Sequence, residues 1–222
     1  MVSVELDLIQ KQIILQAKII TYGNASTEEL TALQAQEIEL LWNEPQTIIL
    51  LDKVPFTVNF RISHEWIPDI SMEAILANTD PSLNFYRIEE FAYGNISFVD
   101  GIGSNTGYFK LENLYAGSTT AAHEFGHGLG LDHPEELDIR GKGRPGIMYP
   151  RGTWVDPEFQ YDSNAKPGAP GGTMHPMNRR VLASDIASLQ LEKLRFRQGK
   201  AILGEFTSVY HHDHSTIPLD RF

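Results

Sequence analysis

The 222-residue chain contains no cysteine. That excludes disulfides, thiolate metal ligands and any latency switch built on a thiolate. A metal held by this protein must therefore sit among nitrogen and oxygen donors. Long apolar runs are also missing, and none approaches the ~20 residues that a membrane helix requires. Basic residues are scarce, with 18 Lys and Arg against 29 Asp and Glu, a net charge of −11. Such a balance argues against nucleic acid or an anionic membrane as the main partner. The opening residues, MVSVELDLIQKQIILQAKII, lack the basic cluster and small-residue cleavage site of an export signal. The expectation is that the protein is not exported by the classical route, or that a segment upstream of this chain is absent from it.

What is present suits a globular protein. Hydrophobic residues make up 41% and charged residues 21%, enough for one domain or one domain plus a tail. The β-branched run QIILQAKIITY (12–22) predicts a strand. STEELTALQAQEIELLWNE predicts a helix: Ser26 or Thr27 can cap it, Glu28 and Glu29 suit its positive end, and Leu30, Leu33, Ile38, Leu41 and Trp42 recur at helical spacing. TIILL and FTVNFRIS predict a β-hairpin, or a strand after an extended arm. LNFYRIEEF, GNISFVDG and GYFKLENL predict further strands, and residues 72–77 a short helix or turn. From Pro134 to about Arg179 glycine and proline accumulate, which predicts long irregular loops. RRVLASDIASLQLEKLRFRQG predicts a final helix stopped by Gly199. The order points to an α/β (α+β) fold, with helices packed on a mixed sheet.

The chemistry concentrates in TTAAHEFGHGLGLDH, residues 119–133. On a helix His123 and His127 share a face and can address one metal. Glu124 projects beside that point, where a base for a metal-bound water belongs. Gly130 can take a left-handed conformation and end the helix, letting His133 return to the same point. Three histidines leave the fourth zinc position open, the mark of a catalytic site. Zinc lowers the pKa of its bound water toward 7 and stabilises a developing oxyanion. Glu124 would accept the water proton and pass it to the leaving amine.

HEFGHGLGLDH is similar to the signature of the metzincin zinc metallopeptidases, and GIMYP (146–150) resembles their Met-turn, with Met148 in the key place. NLYAGSTTAAHEFGHGLGLDH, IMYP and ASDIASLQ resemble the matrix metalloproteinase (matrixin) type, over about a third of the chain. The resemblance implies a zincin fold: a twisted mixed sheet with an antiparallel edge strand, three main helices, and an active-site helix at a cleft between subdomains. NISFVD is the candidate edge. It implies a catalytic domain over residues 1–199, with an upper part to about 133, a lower part over about 134–199, and residues 200–222 as an arm or tail. It implies one catalytic Zn2+ on His123, His127 and His133, Glu124 as general base, and Tyr149 and Pro150 in the wall of the substrate pocket. It further implies a protein or peptide substrate, and secretion or delivery outside the producing cell.

The sequence departs from the family in several places. Met148 comes fifteen positions after His133, more than is usual in the family, and residues 151–179 form a second insertion where the family builds its specificity pocket. Gly152 stands where a tyrosine is usual. Only His64 precedes the motif, so the family's histidine-rich structural zinc site has no counterpart. A structural calcium at Asp100–Asn105 competes with a plain turn, which the lack of spaced acidic ligands favours. His211, His212 and His214 read as a solvated tail rather than a second metal site, and His175 as a surface-loop residue. Asp185 reads both as a first-turn acid and as an anchor beneath the Met-turn. The sequence thus reads as a zinc endopeptidase. The rival is a non-catalytic zinc-binding module whose cleft is blocked by the loops after His133.

Overall fold

The computed structural model describes residues 1–214. Its strands are β1 (Val2–Asp7), β2 (Gln12–Tyr22), β3 (Ile48–Leu51), β4 (Val54–Trp66), β5 (Leu83–Glu89), β6 (Phe98–Val99), β7 (Thr106–Lys110) and β8 (Lys200–Leu203). Its helices are α1 (Glu28–Asn43), α2 (Met72–Leu76), α3 (Thr120–Gly128) and α4 (Ala183–Ser188). They form one mixed sheet in the order β3-β4-β2-β5-β7-β6, with β1 and β8 added alongside the first half of β2. Strands β4, β2, β5 and β7 are mutually parallel, whereas β3 and β6 close the two edges antiparallel. This is the mixed sheet that the element order predicts, with the antiparallel edge strand that the family resemblance implies. NISFVD does supply that edge, though only Phe98 and Val99 pair.

Strand β2 organises the sheet because it is apolar on both faces. Ile13, Leu15, Ala17 and Ile19 enter the main core with Ile38, Trp42, Phe125 and Met148, while Ile20 and Tyr22 face a second cluster with Ile70, Ile75 and Phe85. Helix α1 follows it. Thr27 caps α1 through its side chain, which accepts from Leu30 N, and Glu28 and Glu29 lie in its first turn. At the far end the Asn43 amide accepts from Phe60 N and donates to Phe60 O, both at 2.8 Å, locking α1 onto β4. The hairpin of β3 and β4 turns through Asp52 and Lys53, both at positive φ. Two positive-φ residues in a two-residue loop match the right-handed twist of the strands.

Three expectations need correction. Strand β1 is absent from the sequence reading, yet it pairs with β2 on one side and with β8 on the other. The long final helix is only α4. Beyond Ser188 the chain enters a left-handed residue at Gln190 and a single 3-10 turn, while Leu191 is buried and Leu194 and Phe196 pack on the core. Gly199 does not stop a helix. With Gln198 it forms a tight turn at positive φ between Arg197 and Lys200, which exchange backbone hydrogen bonds of 2.8 and 3.0 Å. Nor do His211 and His214 belong to a solvated tail, though His212 is exposed as expected. His211 Nε2 lies 2.9 Å from Asp100 Oδ1, and the His214 ring stacks 3.7 Å from that of Tyr108.

The loops from 134 to 179 hold no regular strand or α-helix, as predicted. They fold around a small core of Ile139, Val155 and Met174, with Tyr149 and Phe159 packed against it. Short bridges join Asp138 to Trp154 and Gln160 to Met174. No helix among the described residues is long and apolar enough to cross a membrane.

Candidate metal centre

Helix α3 carries the motif and is buried along its whole length. Three contacts fix it. The indole Nε1 of Trp42 on α1 donates to Ala122 O at 3.1 Å. At its start Thr119 is left-handed (φ 57), a conformation that strains a β-branched residue. Arg179 holds this turn by donating to Thr119 Oγ1 (2.9 Å) and Ser118 O (3.3 Å). At its end Gly130 (φ 101) reverses the chain, with Gly130 N bonding His127 O (3.0 Å) and Leu131 N bonding Gly126 O (3.1 Å). That pair of bonds is a Schellman motif. Nothing lies within 4 Å of a Cβ built on Gly130, so the backbone conformation alone demands glycine there.

The reversal brings His133 back over α3. Its Nε2 lies 3.1 Å from His123 Nε2 and 3.2 Å from His127 Nε2. Among the described residues these three form the one histidine or acidic cluster with the spacing of a metal site. Three ligands at tetrahedral angles and Zn–N of about 2.05 Å would lie about 3.3 Å apart, close to this spacing. The other ring nitrogens set the tautomers. His123 Nδ1 is 2.7 Å from Ile147 O, and His127 Nδ1 is 2.8 Å from Leu131 O. Each Nδ1 must donate to its carbonyl, which turns an Nε2 lone pair toward the shared point. His133 Nε2 can donate to at most one of them, so lone pairs face one another unless a cation sits between. Burial pulls all three histidines below the ordinary imidazole range, His123 furthest. Neutral imidazole is the ligating form.

Glu124 lies beside the cluster and is nearly buried. Burial pushes its carboxyl up to about 8, opposed by the charge of Arg179, the N–H of Val99 on β6 and the charge of Arg151. A bound dication would add to the opposing side.

Beneath the cluster runs the loop 146–150. A Cβ on Gly126 would clash with Met148 Sδ and lie 3.1 Å from Trp42 Cζ2, so Met148 is seated directly against α3 between the two helix histidines. Asp185 anchors the loop from below. Its Oδ2 accepts from Leu182 N at 2.7 Å and Ile147 N at 3.4 Å, which makes it both the first-turn acid of α4 and a support for the Ile147 carbonyl. Tyr149 is half-buried, and its carbonyl accepts from Arg179 Nη1 at 3.2 Å. Pro150 is half-buried beside it and accepts from Thr153 N (3.1 Å). His175 is half-buried with its ring 4.4 Å from that of Tyr161. Asp100 is engaged by His211 and by Thr106 Oγ1 (2.6 Å).

Sequence reasoning missed Trp42 as the tether of α3, Arg179 as the clamp on its start, Gly126 as the seat for Met148, and Val99 as the donor to Glu124. Only the glycine carried a signal, its position between the two helix histidines. Two surface hollows, one lined by Gln16, Lys18, Glu39 and Arg61, the other by Glu44, Arg144, Arg180 and Leu182, contain none of the site residues.

No family model matches the chain, and no curated protein does. Among solved structures it is similar to that of myroilysin, at 16% identity over 59% of this chain and 54% of that one, with a TM-score of 0.28. The chain thus spans about half the length of that structure, and a superposition this weak transfers neither fold nor function. The class of protein is set by the site itself: a mixed α/β fold presenting three histidines that could hold one metal ion.

Proposed function

We propose that the protein is a zinc-dependent endopeptidase of metzincin type, similar to the matrixins, with residues 1–199 as its catalytic domain. The observation that carries this is the convergence of three imidazole Nε2 atoms on one point, with Glu124 next to His123 on the same buried helix and one tetrahedral position left over. Zinc held by His123, His127 and His133 supplies a Lewis acid that polarises a carbonyl and acidifies water. Glu124 takes the proton of the attacking water and delivers it to the leaving amine nitrogen. The Val99 N–H orients that carboxylate and ties it to the edge strand β6. Met148 fills the floor, and Asp185 and Arg179 hold the loop from either side. Protein or peptide is the substrate.

The test is hydrolysis of an unfolded protein by the zinc-loaded chain, with Glu124→Ala beside it. Glu124→Ala should bind one equivalent of zinc and lose at least ~100-fold in kcat/KM. Cleavage by the variant at the wild-type rate refutes the role of Glu124. Zinc binding without any cleavage by the wild-type chain favours a zinc-binding module with a blocked cleft.

A further inference from the structure

His123 is held at two backbone points. Its N–H donates to Thr119 O at 3.0 Å, and its Nδ1 donates to Ile147 O at 2.7 Å. The first point sets where the helix carries this ligand, and the second sets the orientation and tautomer of its ring. One side chain joins the two. Arg179 Nε donates to Thr119 Oγ1 at 2.9 Å, and Arg179 Nη1 donates to Tyr149 O at 3.2 Å, two residues beyond Ile147. His123, Thr119, the guanidinium and the 147–149 backbone therefore make a closed ring, with the imidazole on one side and the guanidinium on the other. Nη2 donates to Ser118 O at 3.3 Å, and Arg179 is 3% exposed, so all three nitrogens of its fork are engaged away from water.

Thr119 is the strained member of that ring. It is β-branched, buried and left-handed at φ 57. Such a residue persists only where its surroundings over-determine it. Here each of its polar atoms is used. Its N–H stabilises the Glu37 carboxylate on α1, and its carbonyl takes His123 N. Its Oγ1 accepts from Arg179 and donates to Pro176 O at 2.9 Å. Loss of the guanidinium would free Thr119 to relax toward negative φ, which turns its carbonyl away from His123 N. The same loss would release the Tyr149 carbonyl, and with it the loop that presents Ile147 O.

The charge of Arg179 also reaches the centre. After burial it is the next influence that lowers the pKa of His123, and it is the first to oppose burial at Glu124. A variant that keeps the charge but loses the fork separates the two effects, because lysine offers a point charge without the planar array of donors.

We propose that Arg179 is a positioning residue that holds His123 ready for metal in the metal-free protein, by fixing Thr119 O and Ile147 O on either side of it. The proposal rests on reading the three histidines as a zinc site. Arg179 touches neither metal nor substrate. An imidazole left free to turn or to change tautomer is competent only part of the time, and apparent affinity falls by that fraction.

The experiment uses the full chain and two readouts, zinc affinity by chelator competition and the imidazole 15N spectrum of the metal-free protein near neutral pH, where burial keeps His123 uncharged. His123→Gln assigns the signal. Wild-type His123 should be a single Nδ1–H tautomer. Arg179→Lys should show both tautomers and bind zinc about 10–100-fold more weakly, the usual loss when the partner of a ligating histidine is disturbed. Thr119→Ala breaks the same ring and leaves the buried charge in place, so it decides the matter if Arg179→Lys does not fold. It should lower affinity in the same direction. Wild-type affinity and a single tautomer in either variant overturn the proposal. So does an Arg179→Lys chain that binds zinc normally while Arg179→Met does not, since charge alone would then be at work. A wild-type chain that binds no zinc overturns the metal-site reading, while the tautomer readout needs no metal and still decides the role of Arg179.

Discussion

The seat of Met148 on Gly126 can be measured as an energy. In Gly126→Ala the new methyl meets Met148 Sδ at well under any real Cβ separation, Met148 Cε at 3.3 Å and Trp42 Cζ2 at 3.1 Å. Overpacking of this kind costs about 1–3 kcal/mol. The gain of alanine over glycine inside a helix returns about 1 kcal/mol, leaving a net loss of about 0–2 kcal/mol. Met148→Ala removes a side chain that is 3% exposed and should cost about 2–5 kcal/mol. Combined, the two changes cease to conflict. With Met148 gone only the Trp42 contact remains, so Gly126→Ala in that background should be neutral or stabilise by up to about 1 kcal/mol. The coupling between the sites is then about 1–3 kcal/mol. Urea unfolding of the four proteins, followed by the buried Trp42 and without metal, would measure it. Leaving metal out keeps changes in its affinity from entering the cycle. If the two changes add to within about 0.5 kcal/mol, Met148 is not seated on Gly126 and the floor described here is wrong.

Two further outcomes follow from the site. At zinc near 100 times its Kd, binding should stabilise the chain by about 2.7 kcal/mol and raise Tm by about 5–10 °C. His133→Ala should lose most of that shift at the same zinc concentration, and an equal shift would remove His133 from the ligand set. For Asp185 the sign comes from burial, which raises its folded pKa above the unfolded value. The folded state then holds the proton more tightly, so this contribution is complete below about pH 3.9 and is lost as pH rises through the folded value. Asp185→Asn should lack this loss, so wild-type stability should fall relative to the variant as pH climbs from about 4. A difference that is flat with pH, by urea unfolding, would mean that Asp185 is not buried as described.

Much of the fold could be read where a local pattern and its tertiary use agree. Strand β2 reads as a nearly continuous β-branched, apolar run because both sheet faces are covered, and α1 shows its cap and its apolar face because it lies on a single surface. In HEFGHGLGLDH the spacing of the histidines and Gly130 is local geometry, so the cluster was legible. The failures are places where distant partners decide. VSVELD becomes strand β1 only because β8 arrives from the other end of the chain. LASDIASLQLEKL has helical spacing, but burial of Leu191 and the packing of Leu194 and Phe196 draw it off the helix after Ser188. Arg179 follows no motif, and its relation to α3 exists only in three dimensions. The C-terminal histidines look polar in sequence, while Tyr108 and Asp100 give them a partly buried place.

The pairing of Val2–Glu5 with Lys200–Leu203 also bears on how the protein is made. Strand β1 is synthesised nearly 200 residues before its outer neighbour β8. At about 5–20 residues per second that delay is roughly 10–40 s. Through it the row of unpaired N–H and C=O groups along β1 faces whatever else is nearby, which is the geometry that recruits foreign strands. A contact spanning nearly 200 residues also raises contact order and slows folding. Nascent chains are therefore most prone to aggregate before residue 200 is synthesised, and β8 acts as the seal on this side of the sheet.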